Sequence, residues 1–164
     1  MLSEKMLAEM NEQIKHELYS AYLYLSMAAW FESKSLGGFA HWMKVQAGEE
    51  QEHAMKFFDH INDRGGKVKL QALEQPPAEF KSITAVFDEV LGHEKKVTAR
   101  IHSLFDLAEK ESDYPSKTFL AWFVDEQVEE EKNATEIVEW MKLGGETPQT
   151  IFSLDQLLGK RGEN

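Results

Sequence analysis

The chain contains no cysteine, only four prolines in 164 residues, and no apolar run long enough to cross a bilayer. The absence of cysteine excludes disulfides, zinc ribbons and cysteine-ligated iron–sulfur clusters. Any redox chemistry must therefore use oxygen and nitrogen ligands. Residues 1–5 show no apolar signal-peptide segment, so we expect a cytoplasmic location.

Positive charge is also scarce, because 18 basic residues face 29 acidic ones and the formal net charge is -11. This balance argues against a nucleic-acid partner and favours the attraction of cations. With 42% hydrophobic residues, a chain of this length can bury a sizeable core. We therefore expect residues 1–164 to form a single acidic domain that binds neither nucleic acid nor membrane.

Four long segments carry apolar residues at steps of three and four, which predicts four amphipathic helices. The apolar stripes run through residues 7–31, 39–61, 83–105 and 120–141. Residues that cap helix N-termini precede each expected start except that of the second helix, where a glycine pair at 37–38 is expected to separate the first two helices. The expected caps are Ser3, Ser82, Asp113 and Thr147.

The lengths of the links predict the topology. A helix of about 28 residues is about 42 Å long, and the segment 65–81 could span about 55 Å when extended. This segment can therefore cross the whole bundle, whereas the other links suffice only for antiparallel hairpins. We predict an all-α fold: a four-helix bundle (about 4–143) with one long crossover, plus a short C-terminal fifth helix (about 147–158).

Ligand-type residues interrupt every apolar stripe near its midpoint. They are Glu17 on the first helix, Glu50 and His53 on the second, Glu94 on the third, and Gln127 and Glu130 on the fourth. Carboxylates and an imidazole at one buried level, with no basic residue on the same faces, are expected to hold metal. Mixed oxygen and nitrogen ligands suit Fe(II) or Mn(II), with zinc as a competitor. Glu50 is well placed to bridge two ions.

Each of these features also has a structural explanation. A single glutamate in a helix is usually solvated, but coincidence on four helices favours a metal site. Glu126, Glu129 and Glu130 share one helical face, although an acidic run there can also be a solvated face. Tyr24 fits simple core packing equally well, and Trp122 is expected in the core.

The chain resembles a ferritin of the non-haem bacterial type over essentially its whole length. The segments that carry the resemblance are 17–24, 49–53 (EEQEH), Glu94 and 122–130 (WFVDEQVEE). The resemblance implies a hollow shell of twenty-four subunits. Each subunit would oxidise Fe(II) with dioxygen or peroxide at a dinuclear ferroxidase centre, and Fe(III) would be stored inside as a hydrated oxide mineral.

The family's site residues fall on matching positions of this sequence. The resemblance implies a first iron site at Glu17, Glu50 and His53, a second at Glu50, Glu94 and Glu130 with Gln127 alongside, and a third at Glu49, Glu126, Glu129 and Glu130. It also implies that Tyr24 lies beside the dinuclear centre, to supply an electron or organise the site. Trp122 resembles an additional electron donor.

Departures from neighbouring families narrow the resemblance. Bacterioferritin has Glu-x-x-His on the second and fourth helices, but the fourth helix here carries Gln127-x-x-Glu130. In bacterioferritin, a haem-binding methionine directly follows the second-helix glutamate. This chain has Gln51 at that position, so we expect no haem. Rubrerythrins need a cysteine-bound iron domain, which this chain lacks, and the twelve-subunit DNA-protecting relatives lack the fifth helix.

The functions that remain open differ in chemistry. The leading hypothesis is an iron-storage ferritin with ferroxidase activity. The alternative is a cage that sequesters metal passively, without catalysed oxidation. A di-iron oxygenase acting on organic substrates would need a pocket that the apolar stripes do not indicate.

Overall fold

The computed structural model describes residues 1–162 of the chain, and that part contains five α-helices. They are α1 (Glu4–Ser33), α2 (Gly37–Asp63), α3 (Ile83–Lys110), α4 (Tyr114–Gly144) and α5 (Pro148–Leu158). The predicted all-α fold, with four long helices and a short fifth, is confirmed. Within residues 1–162, no helix has both the length and the hydropathy needed to cross a membrane.

The predicted N-caps act as capping residues in the structure. Ser3, Ser82, Asp113 and Thr147 each accept a hydrogen bond from a backbone N–H three residues later. These bonds satisfy one of the free donors that every helix start presents. Local side-chain chemistry therefore determines where four of the five helices begin.

The start of α2 differs from the sequence prediction. Gly37 and Gly38 lie in the first turn of the helix rather than in the link, and the N-cap residue Leu36 offers no side-chain acceptor. Oδ1 of Asp155, on α5, accepts instead from the N–H groups of Gly38 at 2.8 Å and Phe39 at 3.0 Å. A Cβ on Gly38 would lie 1.7 Å from the backbone oxygen of Asp155. The glycine therefore permits α5 to cap α2 from a distant part of the chain.

The segment between α2 and α3 runs along α1 and confirms the predicted crossover. Near its start, the Asn11 amide donates to the Lys67 carbonyl at 3.2 Å and its oxygen accepts from the Lys69 N–H at 2.6 Å. Further along, the Ser26 hydroxyl donates to the Pro77 carbonyl at 2.6 Å. The link and α1 therefore advance in the same direction along the bundle.

Two apolar clusters fill the interior of the bundle, one at each end. One is built around the aromatic rings of Phe31, Phe39 and Phe87. The other includes Phe57 and Phe123, whose ring centroids are 4.5 Å apart. Buried polar residues occupy the sequence positions between the clusters on all four long helices. The bundle thus holds a polar layer between two apolar ends.

Candidate metal centre

Six ligand-type side chains from the four long helices form this polar layer, which we call the ligand layer. Its members are Glu17, Glu50, His53, Glu94, Gln127 and Glu130. Each of them is buried, with at most 4% of its surface exposed. No lysine or arginine of residues 1–162 is among the buried side chains. The layer is therefore rich in oxygen ligands and poor in compensating positive charge.

The first group of ligand atoms comes from Glu17, Glu50 and His53, and these atoms lie within 4.8 Å of one another. Nδ1 of His53 is 3.4 Å from Oε2 of Glu50. Among the described residues, Oε2 of Glu17 and Oε2 of Glu50 are buried without a hydrogen-bond partner. Buried carboxylate oxygens without donors are costly, and a cation would satisfy both. The group therefore fits a metal ion.

The second group contains His53 again, together with Glu126 and Glu130. Nε2 of His53 lies 3.7 Å from Oε1 of Glu126, so both ring nitrogens of this histidine face carboxylates. Oε2 of Glu130 accepts a hydrogen bond of 2.6 Å from Nε2 of Gln46. The two groups share His53 and so adjoin within the bundle.

Glu94 belongs to neither of these three-residue groups among the described residues. The buried Tyr24 hydroxyl donates to Oε1 of Glu94, and Nε2 of Gln127 donates to Oε2 at 3.2 Å. Gln127 also donates to the Thr98 hydroxyl at 3.2 Å. Glu94 is thus held in place by two donors, and Tyr24 directly contacts a predicted ligand.

Burial dominates the electrostatics of the ligand layer. Burial raises the pKa of Glu17 well above the ordinary value, and the nearby Glu50 carboxylate raises it further. Burial likewise raises the pKa of Glu50, and the Glu94 carboxylate adds to this effect. Burial also raises the pKa of Glu94, and it raises the pKa of Glu130 to about 8 with a further contribution from Glu94. Without a cation, the layer therefore retains protons that exposed glutamates would release.

The residues that the resemblance assigns to a third site are only partly brought together. Glu126 joins the second group, but Glu129 is exposed and lies outside both groups found among residues 1–162. Oε2 of Glu49 forms an ion pair of 2.6 Å with Arg161. Arg161 follows α5, and no sequence pattern pointed to it as a partner of Glu49.

The surroundings of Trp122 contradict its expected place in the core. Its side chain is 41% exposed. Its ring nevertheless lies 5.5 Å from the His53 ring, and Nζ of Lys56 lies 4.4 Å above it. The indole thus reaches from the surface of α4 to the edge of the ligand layer.

Three residues that the sequence analysis missed support the ligands: Gln13, Gln46 and Thr98. Nε2 of Gln13 donates to Oε1 of Glu17 at 2.8 Å. Gln13 and Gln46 each precede a predicted ligand glutamate by four residues, so helical spacing could have revealed them as neighbours on the same face. The bond from Gln46 to another helix had no signal in the sequence.

Comparison with known proteins adds to this geometry. A family model described as a ferritin-like domain matches residues 7–143. The chain is 40% identical over 161 residues to a bacterial non-heme ferritin of Staphylococcus saprophyticus, covering 98% of this chain and 96% of the relative. It is 38% identical over 164 residues to one of Staphylococcus epidermidis, covering 100% and 99%. A solved open-pore ferritin of the hyperthermophilic archaeon Archaeoglobus fulgidus shares 51% identity at a TM-score of 0.97, covering 98% of this chain and 99% of that one.

A four-helix bundle with one crossover and a central carboxylate–histidine layer defines the ferritin-like class of metal-binding proteins. The two matched relatives cover nearly the whole chain at well above 30% identity. The chain belongs to the bacterial non-haem ferritin family.

Proposed function

We propose that this ferritin stores iron and oxidises Fe(II) at a dinuclear ferroxidase centre within each subunit. The observation that carries the proposal is the ligand layer, where buried oxygens of Glu17 and Glu50 have no hydrogen-bond partner among the described residues. Iron is the substrate and cargo. The oxygen and nitrogen ligands, with no cysteine in the chain, suit Fe(II).

The residues of the ligand layer would have separate roles. Glu17, Glu50 and His53 would bind one Fe(II), and Glu50, Glu94 and Glu130 the other, with Gln127 beside the second ion. A pair of Fe(II) ions supplies two electrons, which together with two protons reduce one dioxygen to hydrogen peroxide. The carboxylates that lose their protons when iron binds would stabilise the higher charge of the Fe(III) product. Tyr24 would hold Glu94 through its hydroxyl and so position the second site.

The wider arrangement also forms part of the proposal. Residues 1–164 would form one ferritin-like domain without haem. Twenty-four copies would form a cytoplasmic cage that encloses a ferric mineral, with α5 lining its four-fold axes. Glu49, Glu126, Glu129 and Glu130 would bind a third iron between the dinuclear centre and the cavity.

The rate of Fe(II) oxidation tests the assigned centre. We expect Glu50→Ala to slow oxidation in air by at least about tenfold, since loss even of groups that only support metal ligands costs about 10–100-fold. Glu52→Ala is the matched control, because Glu52 is exposed on the same helix. The progress curve is followed by absorbance of the Fe(III) product. Wild-type rates in Glu50→Ala would show that the centre is wrongly assigned.

Iron loading separates storage from passive binding. A large excess of Fe(II) is added in air, and iron and protein are followed together through size exclusion. If the protein stores iron, iron should coelute with a large shell, and the number of iron ions per shell should far exceed the number of ligand sites. A large shell without catalysed oxygen consumption would instead indicate the passive cage. A small oligomer with a few irons per chain would indicate a different di-iron enzyme.

A further inference from the structure

Arg161, just after α5, is bound to α2 by its side chain and its backbone. Nη2 donates to Oε2 of Glu49 at 2.6 Å, and Nη1 donates to the Trp42 carbonyl at 3.3 Å. The guanidinium carbon lies 4.5 Å from the centre of the Trp42 ring. The Arg161 carbonyl accepts from Nε2 of His41 at 2.8 Å. The C-terminal segment thus places a permanent cation on a predicted iron ligand.

Glu49 is not a member of the second ligand group, but it lies close enough to His53 and Glu126 of that group to interact with them electrostatically. Burial raises the pKa of Glu49, Arg161 opposes this effect, and the nearby carboxylate of Glu126 adds to it. The Glu49 side chain is 38% exposed, so it lies between the buried ligand layer and solvent. A metal ion held by Glu49 and Glu126 would therefore sit beside the Arg161 guanidinium.

We propose that Arg161 is a displaceable counter-cation that occupies Glu49 in the metal-free protein and leaves it when a metal ion binds there. The inference rests on the proposed function for the role of this third site. A guanidinium and a divalent ion compete for the same carboxylate lone pairs and repel each other at short range. Arg161 thereby lowers the affinity of the Glu49 site.

The contacts of Arg161 allow a metal ion to replace it on Glu49 while the segment after α5 stays bound to α2. The contacts with the Trp42 ring and with His41 do not involve Glu49, so they can hold Arg161 after its ion pair is broken. The consequence is a third site that releases ions readily instead of retaining them.

Zinc binding tests the competition, because Zn²⁺ takes the same ligands without redox chemistry. The assembled, metal-free protein is titrated calorimetrically, and Glu49→Gln identifies the class of sites that depends on Glu49. We expect Arg161→Gln to tighten that class by about three- to tenfold, the range typical of a partly exposed charged pair. Lys160→Gln, which removes the adjacent cation, should leave it unchanged. Equal or weaker binding in Arg161→Gln would overturn the proposal, as would a titration in which Glu49→Gln removes no class.

Tryptophan emission gives a second readout of the displacement. When Zn²⁺ fills the Glu49 site of the wild type, the guanidinium should shift over the Trp42 ring while it stays stacked there, and this shift should change the Trp42 emission. This component should be absent from both Glu49→Gln and Arg161→Gln. Its persistence in Arg161→Gln would contradict the displacement. Because the zinc titration does not depend on iron oxidation, it can fail or succeed independently of the Glu50→Ala test of the ferroxidase centre.

Discussion

The metal-free protein should become more stable when a carboxylate of its ligand layer is replaced by an amide. Glu130 offers the sharpest test, because burial raises its pKa to about 8. The folded chain therefore holds a proton at pH 7 that the unfolded chain releases. Each pH unit above the ordinary pKa of 4.5 adds about 1.4 kcal/mol to this cost, so it is on the order of 3 kcal/mol at pH 7. Glu130→Gln removes this cost and keeps an oxygen that can accept from Gln46.

The assay is thermal unfolding of chelator-treated protein at equal concentrations of wild type and variant. For a chain of this size, the gain corresponds to a melting temperature about 5–10 °C higher at pH 7. The sign of the pH dependence follows from linkage. A carboxyl whose folded pKa is raised destabilises the fold progressively as pH rises from 4.5 towards 8. The advantage of Glu130→Gln should therefore grow between these values and vanish below the lower one.

Two further measurements decide how the result is interpreted. Glu129→Gln, the exposed neighbour, should change stability by no more than about 0.5 kcal/mol. Saturating Zn²⁺ should reverse the order, because a ligand that binds only the folded state stabilises the wild type more. A metal-free Glu130→Gln protein that melts at or below the wild-type temperature would refute the reasoning about the layer.

Four other substitutions probe separate parts of the molecule. Gly38→Ala should lower the melting temperature by several degrees, because the new Cβ would lie 1.7 Å from the backbone of α5. Gly48→Ala, which has open space around it, should instead raise the free energy of unfolding by about 0.5–1 kcal/mol. Tyr24→Phe removes one donor to Glu94 and should slow Fe(II) oxidation, followed by absorbance, by about tenfold. The size of the cage, measured by size exclusion, should not change. An unchanged oxidation rate would exclude a positioning role for Tyr24. Burial lowers the pKa of His93 to about 4, so the neutral ring contributes stability above pH 6.5 that is lost as pH falls towards 4. His93→Gln should therefore make the melting temperature depend less on pH between 6.5 and 4. An unchanged pH dependence of the melting temperature would contradict this reasoning.

The helices were predictable because their signals are local. Apolar residues at steps of three and four define the buried faces, and Ser82 and Asp113 cap within one turn of their own positions. The start of α2 was not predictable in this way, because its capping group, Asp155, lies more than a hundred residues further along the chain. Nothing near Leu36 in the sequence reveals a partner at that separation.

The sequence was sufficient to predict which residues form the ligand layer, but not which of their side chains contact each other. Helical register places Glu17, Glu50 and His53 at one height, and the structure brings their ligand atoms together. Register does not determine which side chain points towards which neighbour. It therefore did not indicate that Tyr24 donates to Glu94 or that Arg161 neutralises Glu49. Such contacts depend on side-chain rotamers and on the return of the chain after α5.

The separation of the two apolar clusters by the ligand layer has an evolutionary consequence. Apart from Tyr24, which packs in one apolar cluster and also contacts Glu94, the side chains of the apolar ends are not the ones that perform the proposed chemistry. Amide substitutions within the layer are expected to strengthen the metal-free bundle. Mutations there are thus filtered by what they do to metal binding rather than by loss of folding. A lineage that carries this fold can change the metal it prefers, or abandon oxidation altogether, while the aromatic ends of the bundle preserve the scaffold.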